Sequence, residues 1–225
     1  MEKFPTDVQT NPQEASIDAP MESSNEREAL LRQKLAELNE TTDLLGLEIE
    51  PGIKEAVAYL NLLGIETSSS CGGHDEEDRA SLPYIQGHAK GEPLYRYVGE
   101  EEIVKGLLAR YGLKKKNELF SNQEAEDEYY SQLDSAEESP EYVEWYAKND
   151  PLEKQAESMV AQFNETNPEY KLHMVPHYPG YRVEVDFGYE RNNDIGKEQV
   201  KDLVSKAQKT FKEFEAFLKN KFLVG

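Results

Sequence analysis

Residues 171–187, KLHMVPHYPGYRVEVDF, predict a β-hairpin. The strands Lys171–Val175 and Tyr181–Phe187 are rich in β-branched and aromatic residues, and the second strand alternates apolar with polar side chains. Tyr178-Pro179-Gly180 lies between them and has the composition of a turn. A long helix is predicted after the hairpin, because apolar residues recur there at the spacing of one helix face. These residues are Val200, Leu203, Val204, Ala207, Phe211, Phe214 and Leu218.

A second unit of helix and strand lies nearer the N-terminus. Pro51 is suited to the start of a helix and Gly64 to its end. The apolar residues between them follow helical spacing: Ile53, Ala56, Val57, Leu60 and Leu63. Residues 65–69 then predict a short strand, and residues 83–89 predict the strand that follows it.

Three further helical segments complete the predicted order of elements. They cover about Glu26–Glu40, Glu100–Tyr111 and Pro140–Asn164, and Pro151 is expected to break the last of them in two. From the helix that begins at Pro51 onward, the resulting order is α-β-β-α-α-β-β-α. It predicts an α+β fold in which two hairpins form an antiparallel sheet of about four strands, covered by helices on one face.

Composition divides the chain into parts. Residues 1–25 are rich in Pro, Glu, Gln and Ser and lack periodicity, so they predict a disordered tail. Residues 26–225 are expected to form a single α+β domain. Residues 113–141 are acidic and only weakly periodic, and they are interpreted as a helical insertion in that domain.

The charge restricts the classes of partner. The formal net charge is −20, and a surface this negative disfavours direct binding of nucleic acid. The same charge suits an acidic protein-interaction module that occupies a basic surface on a protein partner. Apolar stretches are too short for a membrane span, and the single cysteine excludes an intrachain disulfide. A cytoplasmic location is the expectation.

The segment Ser68-Ser69-Ser70-Cys71-Gly72-Gly73-His74 is the strongest candidate for a functional site. Its glycines allow a ligand to approach the backbone closely, and its serines offer hydroxyl and N–H groups. An alternative interpretation is purely structural. In that alternative Cys71 is a small buried residue, the glycines shape a turn, and His74 points to solvent.

Cys71 and His74 have the Cys-x-x-His spacing of half a metal site, and zinc is the ion that these ligands suit. His88 on the next strand is the first candidate for a further ligand, and His173 and His177 in the last hairpin are others. Nucleophilic catalysis by Cys71 with a histidine base is a third interpretation. The acidic run Asp75–Asp78 disfavours it, because a thiolate is stabilised by positive surroundings.

Residues 52–74, GIKEAVAYLNLLGIETSSSCGGH, resemble the "SCxGH" segment of uncharacterised bacterial and phage proteins, in which a strand like Pro83-Tyr84-Ile85 follows. The segment is also similar to the Ser-Ser-Cys-Ser-Gly-Arg motif of the tRNA wybutosine-synthesis methyltransferase family. That second resemblance implies S-adenosylmethionine as cofactor and tRNA as substrate. The positions that it carries over as a ligand site are Ser69, Ser70, Cys71, Gly73 and His74.

The sequence therefore predicts a protein that binds a small ligand or a metal ion at the Cys71 segment, with Tyr84 and His88 lining the site from the adjacent strand. Two alternatives remain open. One is an enzyme, either an S-adenosylmethionine-dependent transferase of the wybutosine type or a metal-dependent hydrolase. The other is the acidic protein-interaction module.

Overall fold

A computed structural model describes residues 23–42, 48–75, 81–188 and 197–224. Most of the predicted tail, residues 1–22, lies outside the described residues. The Ser23 side chain accepts a hydrogen bond from the Glu26 N–H and caps a helix that begins at Ser24, two residues before the predicted start at about Glu26. The Ser23 N–H in turn donates to the Glu26 carboxylate, which completes a capping box.

The described part of the chain folds into helices and four strands in one sheet. The helices are α1 (Ser24–Asn39), α2 (Pro51–Leu62), α3 (Glu100–Tyr111), α4 (Lys116–Leu119), α5 (Gln123–Leu133), α6 (Pro140–Tyr146), α7 (Asn149–Asn164) and α8 (Lys197–Val224). The strands are β1 (Ser69–Cys71), β2 (Tyr84–Gly87), β3 (Lys171–His177) and β4 (Gly180–Asp186). None of the helices in these ranges has the length and apolar composition that a membrane crossing requires.

All neighbouring strands run antiparallel, in the order β1-β2-β4-β3. The predicted α+β class and the predicted two hairpins are therefore confirmed. The hairpins meet through β2 and β4, where Ile85 lies opposite Val183 and Tyr84 opposite Glu184. This join makes one continuous sheet out of two units that are almost a hundred residues apart in sequence.

The first strand differs from its predicted position. Residues 65–69 were expected to be the strand, whereas β1 begins at Ser69 and ends at Cys71. The segment just before β1 terminates α2 instead of forming a strand. The Ile65 N–H donates to the Leu60 carbonyl, and the Asn61 side chain accepts from the Thr67 N–H. Cys71 consequently lies in an edge strand rather than in a loop.

The main core lies between one face of the sheet and three helices, α2, α7 and α8. Side chains at every second position of β4, Tyr181, Val183 and Val185, are buried against these helices, as the alternation in the sequence predicted. Helices α2 and α8 also pack against each other and against α1. The start of α2 is thereby held beside the sheet, which positions the site described below.

The sheet requires glycine at two positions where backbones approach closely. A Cβ atom on Gly87 would lie 2.1 Å from the Glu66 carbonyl oxygen, and one on Gly180 would lie 2.1 Å from the Gly87 carbonyl oxygen. The Tyr181 hydroxyl donates to the same Glu66 carbonyl at 2.9 Å. The segment before β1 therefore packs directly on the backbone of the central strands.

The acidic region 113–141 is helical, in agreement with the sequence, although whether it is an insertion stays a prediction. Helices α4 and α5 pack on α3 around a second hydrophobic cluster. Glu100, the first residue of α3, is buried and contacts Tyr129 of this cluster. Its carboxylate accepts hydrogen bonds from Lys116 Nζ at 2.6 Å and from the Tyr129 hydroxyl at 2.7 Å.

The segment 140–164 consists of two helices, as expected, but the break falls at Ala147 and Lys148. Pro151 lies in the first turn of α7, where its missing N–H would have no partner within the helix. Proline therefore favours the start of the second helix instead of interrupting a long one.

Gly87→Ala is expected to lower the free energy of unfolding by about 2–3 kcal/mol, because the new methyl group overlaps the Glu66 backbone. Gly106→Ala in α3 is the matched control. Nothing lies within 4 Å of its added Cβ, so it should raise stability by about 0.5–1 kcal/mol. Urea denaturation measures the free energy of unfolding of both variants. Equal changes in the two variants would contradict the close approach of Gly87 to the Glu66 backbone.

Glu100→Gln is expected to destabilise the protein by about 2 kcal/mol at neutral pH, because Lys116 loses its buried partner. Burial raises the pKa of the Glu100 carboxyl, but hydrogen bonds from Lys116, the Tyr97 N–H and Tyr129 outweigh burial and leave that pKa below 4.5. The stabilisation that the Glu100 carboxylate provides is fully present at a pH above the pKa of this group in the unfolded state. It is lost as the pH falls through the lower pKa of the folded state.

The difference in urea midpoint between the parent protein and Glu100→Gln should therefore narrow as the pH is lowered from 7 into the acid range. A difference that stays constant over that range would show that the carboxylate charge does not stabilise this cluster.

Candidate metal centre

The predicted site segment lies where the β1–β2 hairpin leaves the sheet. Cys71 at the end of β1 is paired with Tyr84 at the start of β2. Beyond this pair, His74 and Ser81 form an antiparallel bridge, with N–H to carbonyl distances of 2.8 and 2.9 Å in the two directions. The bridge extends the hairpin pairing and holds Cys71 and His74 in a defined geometry.

One glycine of the segment is required by a close contact. Gly73 has φ +87°, and a Cβ atom there would lie 2.7 Å from the Pro83 ring. A Cβ on Gly72 would lie 2.9 Å from Glu50 Oε2, which is the end of a flexible side chain and can move aside. The group that approaches Gly72 is thus a carboxylate of the protein itself, and the approach of an external ligand stays a prediction.

Glu50 is a candidate ligand that no motif in the sequence indicated. It precedes Pro51 at the start of α2. One carboxylate oxygen, Oε1, lies 2.7 Å from His74 Nε2, and the other accepts a hydrogen bond from the Gly72 N–H. Glu50 thus links the start of α2 to the turn that contains His74.

The lengths of the neighbouring elements offered a signal for Glu50. The twelve residues of α2 rise about 18 Å, and the chain then reverses at Gly64. The residues from Ile65 to Cys71 span about 20 Å when extended. The chain therefore returns to the level at which α2 began, which places Cys71 beside Glu50.

Glu50, Cys71 and His74 each present one donor atom, and the three atoms lie within 4.8 Å of one another. All three side chains are partly exposed, at 33% for Glu50 and 32% for His74. Cys71 Sγ lies 3.2 Å from the Ser81 hydroxyl and accepts a hydrogen bond from the Gly73 N–H at 3.4 Å. The structural alternative, a sealed thiol and a solvent-directed imidazole, does not describe this arrangement.

The turn is also attached to the helix layer. Gln208 on α8 donates its amide to the carbonyls of Gly72 and Gly73, at 3.1 and 3.3 Å. With Glu50 from α2, two helices thus fix the backbone between Cys71 and His74. Such support lowers the cost of holding ligands in place, because their backbone is already ordered.

A tetrahedral zinc ion with ligands at 2.0–2.3 Å separates its donor atoms by roughly 3.3–3.8 Å. The three donor atoms of the cluster lie within 4.8 Å of one another, and the imidazole and carboxylate are closer than the zinc range, at 2.7 Å. A metal ion would replace this direct contact by two coordination bonds. Thiolate, imidazole and carboxylate are all zinc ligands in proteins.

The same three groups are those of a nucleophile, a base and a carboxylate that orients the base. The Glu50 contact to His74 suits the last two roles. However, the described hydrogen bonds of Cys71 Sγ go to Ser81 and Gly73 rather than to the imidazole. The geometry accordingly matches a shared ion better than a proton transfer from thiol to imidazole.

His88, the first candidate for a third ligand, is not part of this cluster. Its ring contacts the edge of Trp145, its Nδ1 lies 3.0 Å from the Ala89 carbonyl oxygen, and its Nε2 is 4.0 Å from Glu92. Tyr84 is the residue paired with Cys71, and His88 lies four residues beyond it, about 13 Å along the strand direction. The proposed ligand set must therefore contain Glu50 in place of His88.

His173 and His177 are also separated from Cys71. His173 lies on β3 opposite Glu184, with Nε2 3.2 Å from its carboxylate. Three strand spacings, about 14 Å, separate β3 from β1. His177 lies opposite Gly180 next to the turn of the second hairpin, at the end of the sheet remote from Cys71.

Ser69, Ser70 and Tyr84 line a cavity of about 250 Å³ beside β1, together with Asn61 and Thr67. These predicted ligand residues are thus brought together, but Cys71, Gly73 and His74 are not among the residues that line this cavity. The predicted single ligand site is divided between a polar cavity and the adjacent donor cluster.

Comparison of the chain with protein-family models, with curated proteins and with solved structures gave no match. The resemblances to the "SCxGH" segment and to the wybutosine-synthesis methyltransferases therefore stay predictions based on residues 52–74 and 83–85.

Proposed function

We propose that the protein binds zinc through Glu50, Cys71 and His74. The observation that supports this proposal is the convergence of a carboxylate, a thiol and an imidazole within 4.8 Å. These side chains come from two different parts of the fold, the start of α2 and the end of β1 with the turn after it. The sequence pattern predicted two of the three ligands.

The donor set favours zinc over calcium or magnesium. Both of those ions prefer oxygen ligands, whereas a thiolate and an imidazole are borderline or soft donors. Three protein ligands leave the fourth tetrahedral position for water or for an exogenous ligand. The partial exposure of Glu50 and His74 is consistent with access to such a ligand.

Untagged protein, stripped of metal with a chelator, should bind one equivalent of zinc in a competition titration with a chromogenic chelator. Each of Glu50→Gln, Cys71→Ser and His74→Ala should weaken the affinity at least about tenfold, because each removes one of three ligands. Cobalt should give a thiolate charge-transfer band that Cys71→Ser abolishes.

The pair His173 and Glu184 supplies the matched control, because it is a second contact between an imidazole and a carboxylate, at 3.2 Å, and it lies on the other hairpin. His173→Ala and Glu184→Gln should leave zinc affinity unchanged. The proposed centre would be wrong if Cys71→Ser bound zinc as tightly as the parent protein. It would also be wrong if the control variants lost zinc affinity.

Zinc binding should release protons, because a ligating thiol must be deprotonated and a ligating imidazole must be neutral. Calorimetric titrations in buffers of different ionisation enthalpy measure the number of protons released. Cys71→Ser should release fewer protons than the parent protein. An apparent binding enthalpy that does not depend on the buffer would contradict coordination through the thiol.

A further inference from the structure

A second cavity, of about 560 Å³, lies between α3, α4, α5 and the turn of the second hairpin. It shares no residue with the zinc cluster. Six aromatic residues line it: Tyr97, Phe120, Tyr129, Tyr130, Tyr142 and Tyr178. Three of these side chains are exposed, at 42% for Phe120, 56% for Tyr130 and 54% for Tyr178. Rings that face an open cavity are available to a ligand.

Positive charges in the lining are already neutralised by the protein. Arg96 donates from Nε and Nη2 to Glu138, at 2.8 and 2.6 Å. Lys116 donates to the buried carboxylate of Glu100 at 2.6 Å. Each cation therefore already has a carboxylate partner within the protein.

Two carboxylates of the lining are not neutralised in this way. Glu92 has only a distant contact, with His88 Nε2 at 4.0 Å. Asp134 forms no ion pair with any of the described residues. The remaining charge of the lining is therefore negative, and the chain as a whole has a formal charge of −20. Such a field concentrates cations at the cavity.

The protein already packs one of its own cations on aromatic rings at this cavity. The Arg96 guanidinium carbon lies 5.1 Å from the ring centroid of Tyr97, 5.2 Å from that of Tyr142 and 4.9 Å from that of Tyr178. These distances are typical of cation–π contacts. The Tyr142 and Tyr178 hydroxyls are hydrogen-bonded to each other, which holds both rings in place.

We propose that this cavity binds an organic cation of the alkylammonium class. The methyl groups pack on the exposed faces of Phe120 and Tyr130, and the charge lies near Asp134 and Glu92. Aromatic faces with nearby carboxylates form the usual site for quaternary ammonium groups. The same group occurs in free choline-like molecules and in trimethylated lysine side chains, so the chemistry of the cavity specifies the group and not its source.

The test is a calorimetric titration of the full chain with choline and with its neutral isostere, in which carbon replaces nitrogen. Choline should bind saturably and the isostere should not, because only the cation gains from the carboxylates and the ring faces. Equal binding of the two would overturn the proposal, as would binding of inorganic phosphate without binding of choline. A peptide with one trimethyllysine is the second probe, and tighter binding of that peptide than of choline would assign the source to a protein.

Substitutions in the cavity lining test where choline binds. Tyr130→Leu should weaken choline binding about threefold to tenfold, whereas Tyr130→Phe, which keeps the ring, should retain it. Asp134→Asn should also weaken binding, and Asp127→Asn on α5, which is outside the lining, is its control. Thermal melts confirm that each variant is folded. Unchanged binding in both Tyr130→Leu and Asp134→Asn would show that choline binds elsewhere, and Cys71→Ser should have no effect.

Discussion

The antiparallel register of β1 with β2 is the constraint on which the proposed zinc site depends. Pairing of Cys71 with Tyr84, followed by the bridge between His74 and Ser81, fixes where the thiol and the imidazole lie. A shift of one residue would turn every side chain of the strand to the opposite face of the sheet. Gly73 makes the same register sterically specific, because its φ is +87° and a Cβ there would lie 2.7 Å from the Pro83 ring.

Glu50 connects this hairpin to the helix layer. Its carboxylate contacts the Gly72 N–H and His74, while the backbone around it starts α2. Since α2 packs on α8, and Gln208 of α8 also binds the turn, displacement of either helix would change the distances among the three donors. A bound ion would cross-link helix and sheet, and its binding free energy would add to the stability of the folded state.

Much of this fold could be predicted from the sequence, because alternation in β4 and helical spacing in α2 and α8 reflect burial against one core. The β1 boundary could not be predicted, since Ile65 and Thr67 are β-branched residues typical of a strand but the fold uses them to end α2. Cys71 and His74 were found from their short spacing. Glu50 was missed because its proximity to them depends on the lengths of a helix and a returning segment, which no local motif records.

The two proposed sites would bind cations through different interactions. Zinc coordination needs direct bonds to Cys71 and His74, so the net charge of −20 contributes only a general attraction. At the aromatic cavity no coordination bond is available, and selectivity must come from ring faces and from the two carboxylates that the protein leaves without a close cation. Acidic residues are thus neutralised where the fold needs them, as at Glu100, and left open at Asp134. This uneven neutralisation distinguishes a cation-binding surface from an acidic surface that serves solubility alone.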